Sequence, residues 1–339
     1  MRHFDILLPF GLPPPAMACD LLPNLQAPAL AMLLAKAARP PTRAHDPFAR
    51  HLPHEAWLAQ RLNLAQESAG DCAPAMAIHH MQRSGLAIED GTWFVANPVH
   101  IHIARDHLVL TDRRRLPLSD AESRALFAAA LPIFEAAGKT LRYGAADAWF
   151  VRADDWQGLR TTTPDAACGH NIDIWMPKGD GERAWRKLQN EVQMEWHAHP
   201  VNAAREKRRD PPVNSLWLWG AAHAGSDAAL RSALLSTFPA VFDASSDPAT
   251  LLGGAAGDAL ILLDSLSEPA LAEEWGGWLE RVHMLEATWF APLLQALQDG
   301  SITSLTLIAG HNAALREFKV GRRSLMKFWA PPSLARLLP

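Results

Sequence analysis

The sequence predicts an α/β protein with a parallel-sheet core into which a smaller α+β unit is inserted. Short apolar runs alternate with helical patterns at both ends of the chain, and the middle carries paired β-rich runs. Hydrophobic residues make up 49% of the 339 residues, which is enough for a large core. We expect residues 1–70 and 200–339 to form the core and residues 71–199 to form the inserted α+β domain.

The core should begin with a buried strand followed by a helix. The apolar run FDILL at 4–8 ends at Pro9, which predicts a strand that leads into a loop. Residues 28–38 start with Pro28, contain strong helix formers and precede two consecutive prolines. This pattern predicts a helix with a defined start and stop.

The inserted domain should contain a β-hairpin. Two β-rich runs, at 92–103 and 107–111, flank the polar pair Arg105 and Asp106. Two such runs joined by a short polar turn are typical of a hairpin.

Two helices and a second strand pair should follow the hairpin. Ser119 and Glu122 have capping-box spacing ahead of apolar residues at helical intervals, which predicts a helix start. The runs at 148–151 and 172–176 predict a strand pair, and the segment 181–197 predicts a long helix.

The remaining chain returns to strands that alternate with helices. We expect strands at 215–220, 258–265 and 304–310, with helices at 227–236 and 272–297. Alternation of this kind predicts a parallel sheet that is covered on both faces.

Composition excludes several classes of function. The net charge is −4 and charged residues make up 20%, so there is no broad basic field for nucleic acid or an acidic membrane. The basic runs at 113–115, 205–209 and 319–327 are short and offset by neighbours, as on a solvated face. No apolar stretch approaches the roughly 18–20 residues of a membrane span, so we expect a cytoplasmic protein. The three cysteines show no metal or redox spacing.

Several motifs, in order, resemble one enzyme family. They are TTTPDAACGHNIDIWMPKG at 161–179, HAHPVNAARE at 197–206, PPVNSLWLWG at 211–220 and LQAPALAMLLAKA at 25–37. The chain resembles the archaeal-type, 2,3-bisphosphoglycerate-independent phosphoglycerate mutases, and within that group it looks most like the proteobacterial RpfE-type regulatory proteins. The resemblance implies an alkaline-phosphatase-like core, made from both chain ends, with an inserted domain.

The resemblance also implies where metal ligands would lie. In that superfamily two divalent metals, held by Asp and His, activate a Ser or Thr hydroxyl during phosphoryl transfer. Laid on the family motifs, the ligand positions carry Pro9, Pro13, Ser267 and Leu271, and His311 is the remnant that keeps a ligand type. The nucleophile motif falls at 43–47, where Thr42 is a distant substitute. We therefore expect the metal site to be lost.

A relocated metal site is the alternative. Two His-x-His pairs occur, at 100–102 and 197–199, and each pair on a strand would point to one face. If the pairs faced each other, they would form a site for zinc, manganese or cobalt. The ligands would be the four imidazoles of His100, His102, His197 and His199, or three of them with Glu191 or Glu195. The other interpretation is that these histidines have only structural roles: His100 and His102 are half-buried strand residues, and His199 caps a helix.

Four residues of the family motifs are candidates for binding a ligand. Asn202, Arg205 and His199 lie in HPVNAARE and Asn214 lies in VNSLW. Arg with Asn can bind a phosphate or carboxylate. A turn before a strand explains Asn214 equally well.

These observations lead to two functional hypotheses. The first is a degenerate, noncatalytic regulatory protein that binds a phosphorylated small metabolite, without a cofactor and with a protein partner as an option. The second is an active divergent phosphoglycerate mutase or a phosphomonoester hydrolase that depends on Mn, Co or Zn.

Overall fold

The chain folds into two compact units. The computed structural model describes residues 2–38, 40–64, 70–104, 107–225, 241–243, 248–253 and 257–338. The core unit comprises Met1–Pro47 with Pro239–Pro339, and the inserted unit comprises Phe48–Phe238. The inserted unit therefore begins before the predicted position 71 and ends after the predicted position 199.

The described residues of the core unit contain a six-stranded sheet in the order β2-β12-β11-β1-β10-β9. Strands β9, β10, β1 and β11 are parallel, whereas β12 and β2 run antiparallel at one edge. This parallel sheet confirms the predicted α/β class. The strands are β1 (His3–Leu8), β2 (Arg43–Ala44), β9 (Val241–Asp243), β10 (Ala259–Leu262), β11 (Ser304–His311) and β12 (Ala314–Gly321).

The core unit also contains helices between its strands. The helix predicted at 28–38 is confirmed, and it begins with Pro28 at its first turn. The predicted strand at 304–310 is confirmed, but β12 follows it as a further strand. The predicted helix at 227–236 lies outside the described residues. The described helices are α1 (Pro15–Leu21), α2 (Pro28–Lys36), α9 (Pro248–Gly253), α10 (Ser267–Leu271), α11 (Trp275–Leu285) and α12 (Ala291–Asp299).

The helix predicted at 272–297 is interrupted by a π-helical turn at Glu286–Phe290, between α11 and α12. The π-helical turn contains Glu286, which lies against the first turn of α2. The buried Glu286 carboxylate accepts hydrogen bonds from the backbone N–H groups of Ala29 and Leu30, at 2.6 Å and 3.0 Å. A carboxylate at this end satisfies orphan amides and complements the dipole of α2, which has no side-chain cap of its own.

The inserted unit is built on a four-stranded antiparallel sheet in the order β6-β7-β3-β8. Its strands are β3 (Gly91–Val99), β6 (Thr140–Ala145), β7 (Ala148–Arg152) and β8 (Ser215–Ala224). The strand at 215–220 was expected in the parallel core, and that placement was wrong, since β8 pairs antiparallel with β3. A run that is apolar on both faces indicates a buried strand but not the sheet to which it belongs.

Both faces of this antiparallel sheet are covered. Phe94 and Ala96 pack with one hydrophobic cluster, which includes helix residues such as Phe134 and Trp185. Trp93 and Val95 point to the opposite cluster, as strand alternation requires. The described helices are α3 (Pro53–Arg61), α4 (Ala77–Arg83), α5 (Asp120–Ala136), α6 (Pro164–Ala167), α7 (Glu182–His197) and α8 (Pro200–Arg208).

Three local predictions concern the inserted unit: a hairpin, a capping box and a strand at 172–176. The hairpin is confirmed only for β4 (Ile101–Ala104) paired with β5 (His107–Leu110), while Arg105 and Asp106 lie outside the described residues. Most of the predicted first run belongs instead to β3, which pairs with β7 and β8. The capping box is confirmed, because Ser119 and Glu122 bond reciprocally at the start of α5. The strand predicted at 172–176 was wrong.

That segment is a 3₁₀ turn at Ile172–Ile174. The side-chain oxygen of Asn171 accepts a hydrogen bond from the backbone of Asp173, at 3.1 Å, and a local bond of this kind competes with strand pairing. Across the described ranges, no helix is both long and apolar enough to cross a bilayer.

Candidate functional site

The ends of three parallel strands meet at one edge of the core sheet. The backbone N–H of Leu12, just after β1, donates to the carbonyl of Gly310 in β11 at 3.1 Å. The N–H of Leu263, just after β10, donates to the carbonyl of Leu7 at 2.9 Å. In open α/β sheets, ligands bind outside the carboxyl ends of the strands. A ligand site of the core unit is therefore expected at this edge.

Apolar side chains occupy much of this edge. Phe10 and Leu12 follow β1, Leu263 and Leu266 follow β10, and all four are buried. The indole N–H of Trp278 donates to the carbonyl of Phe10 at 2.9 Å, which fixes the loop after β1. These side chains offer no metal ligands.

Polar residues also lie at or near the same edge, among them the half-buried Asp264 shortly after β10, Ser267 and His311. Ser267 is fully buried, and its hydroxyl has no hydrogen-bond partner among the described residues. His311 ends β11 and is half-buried, and its Nδ1 accepts from the backbone N–H of Ala313 at 3.2 Å. Burial, with a smaller effect of the Arg316 charge, lowers the pKa of His311. A neutral imidazole in a local turn is therefore what the structure places at the remnant position.

The structure brings His100 and His102 together. Their rings stack with centroids 5.9 Å apart. His100 Nδ1 donates to the carbonyl of Pro212 at 2.8 Å, and His102 Nδ1 lies 3.2 Å from the Thr111 hydroxyl. Burial is the largest cause of a lowered pKa at His100.

The other histidine pair lies at a helix junction. His197 is the exposed last residue of α7, and His199 precedes α8, where its Nδ1 accepts from the N–H of Val201 at 3.2 Å. The helix-capping interpretation of His199 is confirmed. Within the described ranges, neither histidine pair joins a group of three potential metal ligands.

The candidate ligand-binding residues hold the backbone of the inserted unit. Asn202 is buried, donates to the carbonyls of Trp196 and Val213, both at 2.8 Å, and accepts from the N–H of Val213 at 2.9 Å. Asn214 bonds both the N–H and the carbonyl of Ile101, each at 2.8 Å. Both side-chain amides therefore hold backbone segments of the inserted unit together.

Arg205 has a similar role. It is fully buried and donates to the carbonyls of Pro211 and Pro117, both at 2.8 Å. Its Nη1 also lies 3.4 Å from the Glu122 carboxylate at the start of α5. The guanidinium thus ties the α8 segment to the start of α5.

A cluster that the sequence analysis missed lies elsewhere in the inserted unit. His54, Glu55 and Asp165 each offer one ligand atom, and these atoms all lie within 4.8 Å of one another. His54 and Glu55 stand in the first turn of α3 and Asp165 stands in α6. Pro53 at the first helical position and Glu55 two residues later form a helix-start signal that could have drawn attention to this segment.

Hydrogen bonds hold the two carboxylates in different ways. One Glu55 oxygen accepts from the N–H of Leu52 at 2.6 Å and from the hydroxyl of Thr163 at 2.7 Å. Asp165 accepts from Arg114 through both oxygens, at 3.1 Å and 2.6 Å. Arg114 also donates to Asp112 at 3.0 Å.

The two carboxyl groups consequently differ in charge. Burial, followed by repulsion from Asp165, raises the pKa of Glu55 to about 8. Burial would also raise the pKa of Asp165, but the Arg114 charge outweighs it and holds that pKa below its usual value. At neutral pH the pair therefore carries a protonated Glu55 beside an ionised Asp165.

The donor set of one imidazole and two carboxylates suits a divalent metal such as Mn²⁺ or Zn²⁺. Against this, Arg114 already occupies both oxygens of Asp165, and Glu55 accepts two hydrogen bonds. The same contacts form a hydrogen-bonded network that joins α3, α6 and the turn at Arg113–Arg115.

The fold and these sites define an α/β protein whose parallel-sheet core carries an inserted antiparallel unit. No protein-family model matches the chain. A segment of 147 residues is 26% identical to a probable 2,3-bisphosphoglycerate-independent phosphoglycerate mutase of Geobacter sulfurreducens. That segment covers 41% of this chain and 36% of the relative, so the match spans about a third of the relative's length.

Two solved structures are also similar. A protein of Pyrococcus horikoshii matches with a TM-score of 0.50 at 12% identity, covering 94% of this chain and 87% of that one. A cofactor-independent phosphoglycerate mutase from Thermoplasma acidophilum gives a TM-score of 0.43 at 15% identity, covering 99% of this chain and 94% of that one. At such identities the structural likeness concerns the fold. The sequence match by itself makes this chain similar to a phosphoglycerate-mutase-like protein.

Proposed function

We propose that this chain is a phosphoglycerate-mutase-like protein without phosphoryl-transfer activity, which binds a phosphorylated small metabolite in a regulatory role. The observation that carries the proposal is the apolar lining of the sheet edge, where Phe10, Leu12, Leu263 and Leu266 are buried. The proposal includes a kinship with the RpfE-type regulatory proteins, which gives the chain its regulatory role. A cytoplasmic location and a protein partner are part of the same proposal.

The physical basis is the ligand requirement of metal-assisted phosphoryl transfer. A binuclear site needs several carboxylates and imidazoles in fixed geometry, because the metals must hold both the attacking and the leaving oxygens. At the positions implied by the resemblance, prolines stand at 9 and 13, Ser267 has only a hydroxyl, and Leu271 has no polar atom. We accordingly propose that the protein needs no metal cofactor.

Activity and metal content test this proposal together. Purified protein is assayed for interconversion of 2- and 3-phosphoglycerate with added Mn²⁺ or Co²⁺, and its bound metal is measured after dialysis. We expect no turnover above a blank and less than one metal per chain. Robust turnover would contradict the proposal and favour an active divergent mutase.

Two variants locate any activity that is found. His311→Ala removes the imidazole at the sheet edge, and His54→Ala removes the imidazole of the missed cluster in the inserted unit. Turnover lost only in His311→Ala would place metal chemistry at the sheet edge. Turnover lost only in His54→Ala would place it in the inserted unit.

A further inference from the structure

A cavity of about 380 Å³ lies in the core unit, beside β12. Pockets for small molecules have volumes of roughly 300–1,000 Å³, so this one has room for a metabolite but not for a macromolecule. None of its lining residues is a metal-ligand candidate. Its lining residues are Pro40, Thr42, Arg316, Phe318, Ala335, Arg336 and Leu338.

Strand alternation builds one wall of this cavity. Arg316 and Phe318 are two residues apart on β12, so both side chains point to the same face. The antiparallel pairing of Leu315 with Arg43 brings Arg316 beside Thr42, and the Arg316 Nε donates to the Thr42 hydroxyl at 2.9 Å. This bond fixes the guanidinium at the cavity.

The 3₁₀ turn at Ala335–Leu337 forms another wall. Arg316 Nη1 donates to the carbonyl of Arg336 at 3.1 Å and also to the carbonyl of Leu338. Arg336 Nη1 in turn donates to the carbonyl of Ala37 at 2.8 Å. Two guanidinium groups are thus held at one cavity by hydrogen bonds to the main chain.

Among the described residues, Arg336 has no acidic partner. Its described hydrogen bond goes to a neutral carbonyl, and within the described ranges Arg336 forms no ion pair. The acidic residue next along β12, Glu317, pairs with Arg43 at 3.0 Å. Because Glu317 is adjacent in the strand to Arg316, its side chain points to the opposite face. A half-buried cation of this kind favours an anion at the cavity.

We propose that this cavity binds a small organic anion that carries a phosphate or carboxylate group. The guanidinium of Arg336, with that of Arg316 beside it, matches the planar oxygens of such a group. Phe318 and Leu338 provide apolar contact for a short carbon segment. The proposal rests on the metabolite-binding part of the proposed function and gives it a site, since Asn202 and Asn214 use their amide groups on the backbone and Arg205 uses Nε and Nη1 in the same way.

Isothermal titration of the full chain at low ionic strength tests the site. The probes are 3-phosphoglycerate, inorganic phosphate and succinate. Arg336→Gln is the main variant. It removes the positive charge, and among the described residues the Arg336 side chain makes a single hydrogen bond that would be lost. Arg323→Gln is the matched control, since it removes an exposed positive charge elsewhere in the core unit.

We expect wild-type protein to bind 3-phosphoglycerate more tightly than succinate. Loss of charge-assisted hydrogen bonds should weaken binding by about tenfold or more in Arg336→Gln, and by less than about twofold in Arg323→Gln. Arg336→Lys should recover part of the affinity, because it restores the charge without the planar fork. Circular dichroism and thermal unfolding verify that each variant is folded.

The outcomes separate this site from the proposed function. No binding of any probe to wild-type protein would overturn the site. Binding of 3-phosphoglycerate that Arg336→Gln leaves unchanged would also overturn it, while metabolite binding itself would stand. Tighter binding of succinate would support a carboxylate ligand at this cavity and would contradict the phosphorylated metabolite of the proposed function. Mutase turnover would contradict the noncatalytic function without bearing on anion binding at this cavity.

Discussion

Arg114 donates to both carboxylate oxygens of Asp165, Nη1 at 3.1 Å and Nη2 at 2.6 Å. Glu55 lies beside Asp165 and lacks such a pair, since its described bonds come from the Leu52 N–H and the Thr163 hydroxyl. One arginine thus fixes which of two neighbouring carboxyl groups is ionised. This asymmetry makes the cluster sensitive to substitution and to pH.

Replacing Arg114 by Met should destabilise the protein strongly. The substitution leaves the buried Asp165 charge without its partner, and breaking a buried pair in this way costs about 3–5 kcal/mol. Urea unfolding followed by tryptophan fluorescence measures the loss. Arg124→Met is the control, because Arg124 forms an exposed helix pair with Asp120 and its replacement should cost much less stability. Equal, small losses in both variants would contradict the prediction.

Glu55 should make stability fall as pH rises from about 5 to about 8. Its pKa is raised to about 8 in the folded protein, whereas a carboxyl group in an unfolded chain titrates near ~4.3. Between these values the folded state binds a proton that the unfolded state releases, so the free energy of unfolding decreases with pH. Asp165, whose pKa is lowered, contributes only at more acidic pH.

Glu55→Gln isolates this effect. The amide oxygen can still accept the hydrogen bonds from Leu52 and Thr163, but the side chain cannot ionise. Burial lowers the pKa of His79 to about 4 and of His80 to about 3, which acts with the opposite sign below about pH 6.5. The measurement is therefore the difference between the wild-type and Glu55→Gln stability curves. Glu135→Gln is the exposed control. The difference between the wild-type and Glu135→Gln stability curves should not change with pH.

Two buried serines should respond oppositely to alanine. Ser267 and Ser123 are both fully buried. The Ser267 hydroxyl has no partner among the described residues, so Ser267→Ala should leave stability unchanged or raise it by about 1 kcal/mol.

Ser123 is the matched comparison. Its hydroxyl donates to the carbonyl of Ala146 at 2.7 Å and accepts from the indole N–H of Trp149 at 3.1 Å. Ser123→Ala leaves both groups unpaired and should cost about 1–3 kcal/mol. Thermal and urea unfolding of the two variants test the pair. A larger loss in Ser267→Ala would mean that this hydroxyl has a role at the sheet edge.

Asn202→Ala should destabilise the inserted unit. Three hydrogen bonds to the buried backbone of Trp196 and Val213 would be lost, and each unsatisfied group costs about 1–3 kcal/mol. Asn24→Ala is the control, because its exposed amide makes a single bond to the carbonyl of Asp20. If Asn202→Ala instead kept full stability and lost metabolite binding, Asn202 would be a ligand residue.

Sequence patterns were most informative where a few consecutive residues decide the structure. The capping box at Ser119 and Glu122, the Pro28 helix start and the strand at 4–8 all follow from local hydrogen bonding and apolar spacing. The segment 172–176 was misassigned because the Asn171 side chain bonds its own backbone, a contact that apolar spacing does not reveal.

Site residues were harder to predict. Asn202, Arg205 and Asn214 have the chemistry of ligand-binding residues, and only their contacts show that they brace the backbone. His54, Glu55 and Asp165 were missed because about a hundred residues of chain separate the two halves of the cluster. Long-range pairs of this kind leave no periodic signal.

The sequence by itself determined the α/β class and the apolar character of the loop after β1. These properties depend on the order and composition of short segments. Tertiary structure decided that β8 joins the antiparallel sheet, that Arg114 pairs with Asp165, and that Arg316 and Arg336 meet at one cavity. Each of these depends on contacts between distant segments, whose energies are set by burial and charge in the folded chain.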